Sequence, residues 1–357
     1  MKAIIKTQPG KGHVELADWP EPHPAPDEVK LEIVAAGICG TDVHIVEGHW
    51  PCRPPVVLGH EFCGKVTEVG SLVTHFKPGD RVVASNPART CGLCRHCCSG
   101  NPFMCSQRVS AGYMIDGAFA EYLCISAVRC HRLPDNVSFL QAALGEPLSV
   151  AVHAVMERTT VHRGDLAVVS GPGCVGLLTA LVAKLEGARV IVAGTGKDRR
   201  RLALAQEMGA DAVVDVTRED LADVVRQHNN GEGADVVYEC AGVAASLEAC
   251  WSAVRSEGTL VPLGIYPGPI QTDFNKITMK ELKVMGSFGY VWTSWKRCLR
   301  LLANGEVDTE KLISHVYPFE KFNEALDALG AGLTVKVVLR PSLGDDSVLR
   351  ARERAEV

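Results

Sequence analysis

No apolar run in the 357-residue chain approaches the roughly 20 residues that a membrane-spanning helix needs, which argues against a membrane protein. The opening MKAIIKTQPGKGH lacks the long apolar stretch and small-residue cleavage site of a secretory signal, so a cytoplasmic location is expected. Internal repeats and low-complexity tracts are absent too, which excludes a solenoid and a large disordered region. Nor is there an excess of positive charge. A net charge of −5 is the wrong sign for a general binder of nucleic acid or anionic membranes. What is present, 46% hydrophobic and 22% charged residues, suffices for two buried cores, and the length favours two domains.

Cysteine, by contrast, is abundant, with fourteen in the chain. In a large chain without a secretion signal, metal ligation or chemistry is a better reading than disulfides. Five lie in one short segment: Cys91, Cys94, Cys97, Cys98 and Cys105. Cys91, Cys94, Cys97 and Cys105 make a C-x2-C-x2-C-x7-C pattern, and four thiolates in one loop can close a tetrahedral zinc site. Gly92 and Gly100 help the loop turn. Sulfur would fill every position, leaving none for a substrate, so this site is expected to be structural, with Cys98 left over. The compact spacing differs from a zinc ribbon, whose two Cys pairs stand about 15 to 20 residues apart.

The pattern along the chain is α/β. Residues 1–7, 29–36, 63–69, 81–84 and 119–125 read as short strands of a barrel-like β domain. From about residue 160, strands at 166–170, 189–193, 235–240 and 259–263 accompany helical spacing at 175–186 and 199–208, which implies βαβ units and a parallel sheet. Helices at 294–303 and 319–329 and a strand at 335–339 follow; the charged tail 342–357 is expected to fray.

Gly171-Pro172-Gly173-Cys174-Val175-Gly176 is a G-x-G-x-x-G run placed after a strand and opening a helix, the setting in which it binds dinucleotides. Gly171 permits the tight turn, Gly173 the approach of a pyrophosphate, and Gly176 the packing of helix on sheet. The second strand ends on Gly194, where an acid usually holds the ribose, and no acid stands between Glu186 and Asp198. Lys197, Arg199 and Arg200 could meet a 2′-phosphate, or Asp198 could reach the ribose, so NAD and NADP both stay open.

Cys39, His60, Glu61 and Glu146 are of the right types for a catalytic zinc site, which keeps one position open. His60 and Glu61 are adjacent and would diverge on a regular strand, so Gly59 and Gly64 are expected to supply an irregular backbone. Pro147 is expected to hold Glu146 extended, off a helix.

The run GHEFCGKVTEVGSLV, with Gly59, His60, Glu61, Gly64, Gly70 and Val73, resembles the signature of the zinc-containing medium-chain alcohol dehydrogenases. The four-cysteine loop, the GPGCVG turn and the CGTDVH run are similar as well, so the likeness spans about residues 1–340. It implies an α/β chain: a GroES-like catalytic domain (1–152), a Rossmann doubly wound parallel-sheet domain (153–289), and a return to the catalytic domain (290–341) before the tail. Within the family, Glu61 and the EPLSV segment look like the sorbitol (polyol) dehydrogenases, and CGTDVHI and Thr293-Ser294-Trp295 look like L-threonine 3-dehydrogenase. The threonine branch usually has Asp where Glu146 stands, and polyol dehydrogenases typically show F-R-Y where this chain has Phe288-Gly289-Tyr290.

The resemblance implies that Cys39, His60 and Glu61 hold catalytic zinc, with Glu146 binding it directly or through a water. Thr41 and His44 would relay the proton of a secondary alcohol, polyol-like or a vicinal (butanediol-type) diol, while the dinucleotide takes the hydride. Gly194, Thr195, Arg199, Leu263, Gly264, Ser287 and Phe288 join Gly171, Gly173, Cys174, Val175 and Gly176 as expected dinucleotide contacts. Trp50, Phe119, Phe288 and Tyr290 are candidates to line the substrate pocket. Partners beyond the small alcohol and the cofactor are not expected, except further copies in a homodimer or homotetramer. The rival reading is a non-catalytic dinucleotide- or zinc-binding protein.

Overall fold

In the computed structural model, which describes residues 1–332 and 334–341, the chain divides into two units, Met1–Glu146 with the chain from Val291 on, and Pro147–Tyr290. The expected fraying tail, 342–357, lies outside the described residues. No helix among them is long and apolar enough to cross a membrane.

The first unit holds β1 (Lys2–Lys6), β2 (Val14–Asp18), β3 (Glu28–Gly37), β4 (Val56–Val57), β5 (Glu61–Val69), β6 (Arg81–Ala84), β7 (Tyr122–Ser126) and β8 (Cys130–Arg132). β1 lies between β2 and β4 in a small antiparallel sheet. The larger sheet is centred on β3, which pairs with both β5 and β7 because its side chains are buried along most of its length. Gly64 has a different use from the one expected: a Cβ there would overlap the carbonyl of Glu32, so the glycine lets β5 close onto β3.

The second unit is a six-stranded parallel sheet: β9 (Leu166–Ser170), β10 (Arg189–Gly194), β11 (Ala212–Asp215), β12 (Ala234–Glu239), β13 (Val254–Pro262) and β14 (Lys283–Val284). All five residues of β9 are buried, as a strand covered on both faces requires. The order β11-β10-β9-β12-β13-β14 reverses direction between β9 and β12, which is where doubly wound sheets open a crevice for ligands. Sequence periodicity found β9 and β10 but missed β11, and it found only the second half of β13.

The chain then returns to the first unit with β15 (Ile313–Pro318) and β16 (Lys336–Arg340); β16 pairs antiparallel with β3. Glu146 proves to sit in a helix, Gly145–Val152, contrary to the extended conformation expected from Pro147. Pro147 falls in its first turn, where the missing N–H leaves no hydrogen bond unmade.

Candidate metal centres and dinucleotide site

The four-cysteine loop brings its sulfurs together. Cys91 Sγ lies 3.9 Å from Cys97 Sγ and 3.6 Å from Cys105 Sγ, and Cys94 Sγ lies 3.6 Å from Cys97 Sγ. A tetrahedron of Zn–S bonds of about 2.3 Å has edges of about 3.8 Å, so the loop fits the ion. Backbone N–H groups of Leu93 and Cys94 pull the Cys91 thiol down to about 6, towards the thiolate a metal needs. Gly92 and Gly100 both adopt the left-handed conformation. Cys98 points elsewhere, towards the carbonyl of Leu93 at 3.5 Å, and takes no part.

The second centre assembles residues from two separate elements. Cys39 caps the helix Gly40–Val46, and Glu61 opens β5, with His60 just before it. Gly59 has φ +89°, and a Cβ there would overlap Phe119, so the backbone kinks immediately ahead of His60. That kink solves the problem of adjacent ligands. One ligand atom each from Cys39, His60 and Glu61 lies within 4.8 Å of the others. Glu146 is buried but stands outside this group.

Asp42, fully buried on the Gly40–Val46 helix, organises the centre. One of its oxygens accepts from Cys39 N at 2.8 Å, and the other lies 3.4 Å from His60 Nδ1. With Nδ1 turned to Asp42, Nε2 is the nitrogen left to ligate. Burial works to lower the pKa of His60, but Asp42 outweighs it, and with Cys39 holds the ring well above the usual range. Glu61 is engaged by Lys336, an ion pair in which both side chains are buried. Neither Asp42 nor Lys336 emerged from sequence reasoning; a lysine in the apolar run VKVVL was the available signal.

Thr41 and His44 stand three residues apart on the Gly40–Val46 helix and so share a face. Tyr113 sets its edge to the His60 ring at 6.3 Å and to Trp50 at 6.3 Å. The Trp50 indole nitrogen is buried without a hydrogen-bond partner among the described residues. Phe119, expected in the substrate pocket, is instead fully buried against Phe322 and beneath Gly59; it is core. Gly289 has φ +66°, a conformation that strains any residue with a side chain.

In the parallel-sheet unit, Gly171 has φ +101°, and a Cβ at Gly176 would overlap the Gly171 carbonyl. A Cβ at Gly173 would meet nothing within 4 Å, which leaves open space over the start of the helix Cys174–Leu185, to which Val175 also belongs. Glu239, fully buried at the end of β12, ties the crevice loops together. Its carboxylate accepts from Ala241 N, Gly242 N, Ser246 Oγ and Tyr266 OH, and its carbonyl accepts from Leu263 N and Gly264 N. Ser287 Oγ is buried without a partner among the described residues, an orphan donor that suits a polar ligand. Phe288 is half-exposed and Tyr290 buried. Asp198 is turned back on its own turn, where it accepts from Thr195 N and Oγ1 and from Arg201. Arg199 is exposed beside it.

Residues 25–135 match the model of the alcohol dehydrogenase GroES-like domain, and residues 174–304 match that of the zinc-binding dehydrogenases. A sorbitol dehydrogenase of Halalkalibacterium halodurans is 40% identical over 342 residues, 96% of this chain and 99% of that protein. An L-threonine 3-dehydrogenase of Pyrococcus horikoshii is 37% identical over 345 residues, 95% of this chain and 98% of the relative. The crystal structure of a zinc-binding dehydrogenase from Sinorhizobium meliloti bound to NADP superposes with a TM-score of 0.87 at 32% identity, covering 95% of this chain and 99% of the other. A GroES-like β unit carrying two zinc-fitting centres and a doubly wound dinucleotide unit thus occur together, and the chain belongs to the zinc-binding medium-chain alcohol dehydrogenase family.

Proposed function

We propose that this zinc-dependent NAD(P) dehydrogenase acts on a polyol-like secondary alcohol. The convergence of Cys39, His60 and Glu61 within 4.8 Å carries the reading. Three protein ligands of these types leave a fourth position for a substrate oxygen. When bound, zinc polarises the alcohol oxygen, and the dinucleotide accepts the hydride. Cys39, His60 and Glu61 hold the ion, and Asp42 orients the His60 ring. Thr41 accepts the hydroxyl proton as it gives up its own, and His44 carries that proton on towards solvent, with Glu146 holding a water beside the ligands. Trp50 and Tyr113 cover the His60 side and keep bulk water out.

Support for a polyol-like substrate comes from the sorbitol dehydrogenase relative, while Gly289 in place of an Arg points to a polyol other than sorbitol. The threonine 3-dehydrogenase relative supports a second reading, L-threonine or a vicinal diol. The protein is proposed to work in the cytoplasm, where fourteen free thiols survive, as a homodimer or homotetramer. A screen of polyols, L-threonine and vicinal diols with NAD and NADP, followed by absorbance of the reduced cofactor, tests the substrate. The highest kcat/KM is expected on a polyol; a clear preference for L-threonine would replace the proposal with the second reading. Light scattering checks the assembly.

A further inference from the structure

Lys336 is a costly residue where it stands. Its side chain is 3% exposed at the start of β16, and Val337, Val338 and Leu339 after it are fully buried. Its ammonium reaches Glu61 Oε2, whose side chain is 1% exposed. An ion pair this deep is seldom a good source of stability, because desolvation cancels much of the attraction. Yet the fold makes room for it. Gly37, on the strand to which β16 is paired, has no Cβ; one built there would overlap Glu61 Oε2 and lie 2.7 Å from Lys336 Cε. The partner of the lysine is also one of the three side chains that converge as metal ligands.

We propose that Lys336 is a positioning residue that competes with the metal as the counter-charge of Glu61, keeping this ligand in place in the metal-free protein and weakening its grip on the ion. The inference rests on reading Cys39, His60 and Glu61 as the metal centre. Charge shows why such a group is needed. The centre gathers the carboxylates of Glu61 and Asp42 and, once deprotonated, the thiolate of Cys39, three negative charges in a buried region. A divalent ion and one ammonium balance them. Without the ion, Lys336 is the cation bonded to Glu61, and its loss leaves that buried carboxylate without a hydrogen-bond partner among the described residues. With the ion present, an Oε2 still engaged by Lys336 would leave Glu61 one carboxylate oxygen with which to hold it.

The test uses the full-length protein, metal-free and zinc-loaded, with Lys336→Met, Lys336→Gln and Lys336→Arg. If the lysine and the metal compete for Glu61, losing the lysine destabilises the metal-free form more than the loaded one. The thermodynamic cycle then requires zinc to bind more tightly by the same free energy. Lys336→Met should melt lower when metal-free and hold the zinc of this centre about tenfold more tightly against a chromophoric chelator. Lys336→Arg, which keeps the charge, should behave as the parent. Lys336→Gln keeps a donor without the charge and gives the same direction of change if the methionine variant does not fold. Equal loss of melting temperature in both forms, with zinc affinity unchanged or weakened, would overturn the proposal and leave a structural bridge. Metal analysis of Cys39→Ser separates the two readings: if it retains as much zinc as the parent, the centre itself is misassigned.

Discussion

His131 shows how a single buried residue can set the acid limit of the fold. Its ring stacks on Trp295 with centroids 5.0 Å apart and tilts against Trp292 at 4.3 Å, and Nε2 has no hydrogen-bond partner among the described residues. Burial, helped by the charge of Lys296, depresses its pKa to about 4. The folded form therefore refuses a proton that the unfolded chain accepts below about 6.5. Stability contributed by the neutral ring is present above that value and declines as pH falls towards 4, by a total on the order of 3 kcal/mol. His131→Phe should keep the stacking and flatten the fall of melting temperature between pH 6.5 and 4; an unchanged slope would show that the ring is not the group responsible. Residues of this kind are hard to find in a sequence. The ligand types Cys39, His60 and Glu61 could be read because few chemistries need them, whereas Asp42 and Lys336 matter only through whom they touch, and contact between residues 61 and 336 has no trace in spacing.

At the scale of elements, the make-up of the turn after β10 favours one dinucleotide over the other. An acid at position 194 does not fit: a Cβ there would sit 2.8 Å from Pro172 Cγ and 3.2 Å from Asp198 Cβ. Asp198 is occupied as the cap of its own turn, and Asp215 at the end of β11 is occupied by Thr217 and Arg218. Both carboxylates are thus engaged by protein donors, while Lys197, Arg199 and Arg200 are exposed around them. A 2′-phosphate offers those cations charge-assisted hydrogen bonds. Fluorescence titration should therefore give NADP about tenfold tighter binding than NAD, with Arg199→Ala removing most of the difference. Equal affinities for the two would sink the idea. The missing acid was visible in the sequence, but its meaning was not, because only the structure shows Asp198 turned back on Thr195.

The two units of the whole molecule differ in how they are threaded, and this has a consequence for folding. The β unit is built from both ends of the chain, since β16 must return to pair with β3. The parallel-sheet unit is one continuous stretch, and its strands and helices alternate locally, which is why βαβ periodicity revealed its type from sequence alone. The β unit was legible chiefly through its motifs, because short strands around loops carry a weak period. The parallel-sheet unit also has its own core, including Val168, Ile191, Val237 and Leu260, each without exposed surface. Neither zinc-fitting centre lies in it. Residues 147–290 expressed alone should consequently fold, melt cooperatively and bind dinucleotide with no metal present. Trp251, the fragment's single tryptophan, is buried and bonded to Thr272, so its emission reports on folding. A fragment without a cooperative transition, or one that folds yet does not bind, would show that this stretch is not self-sufficient.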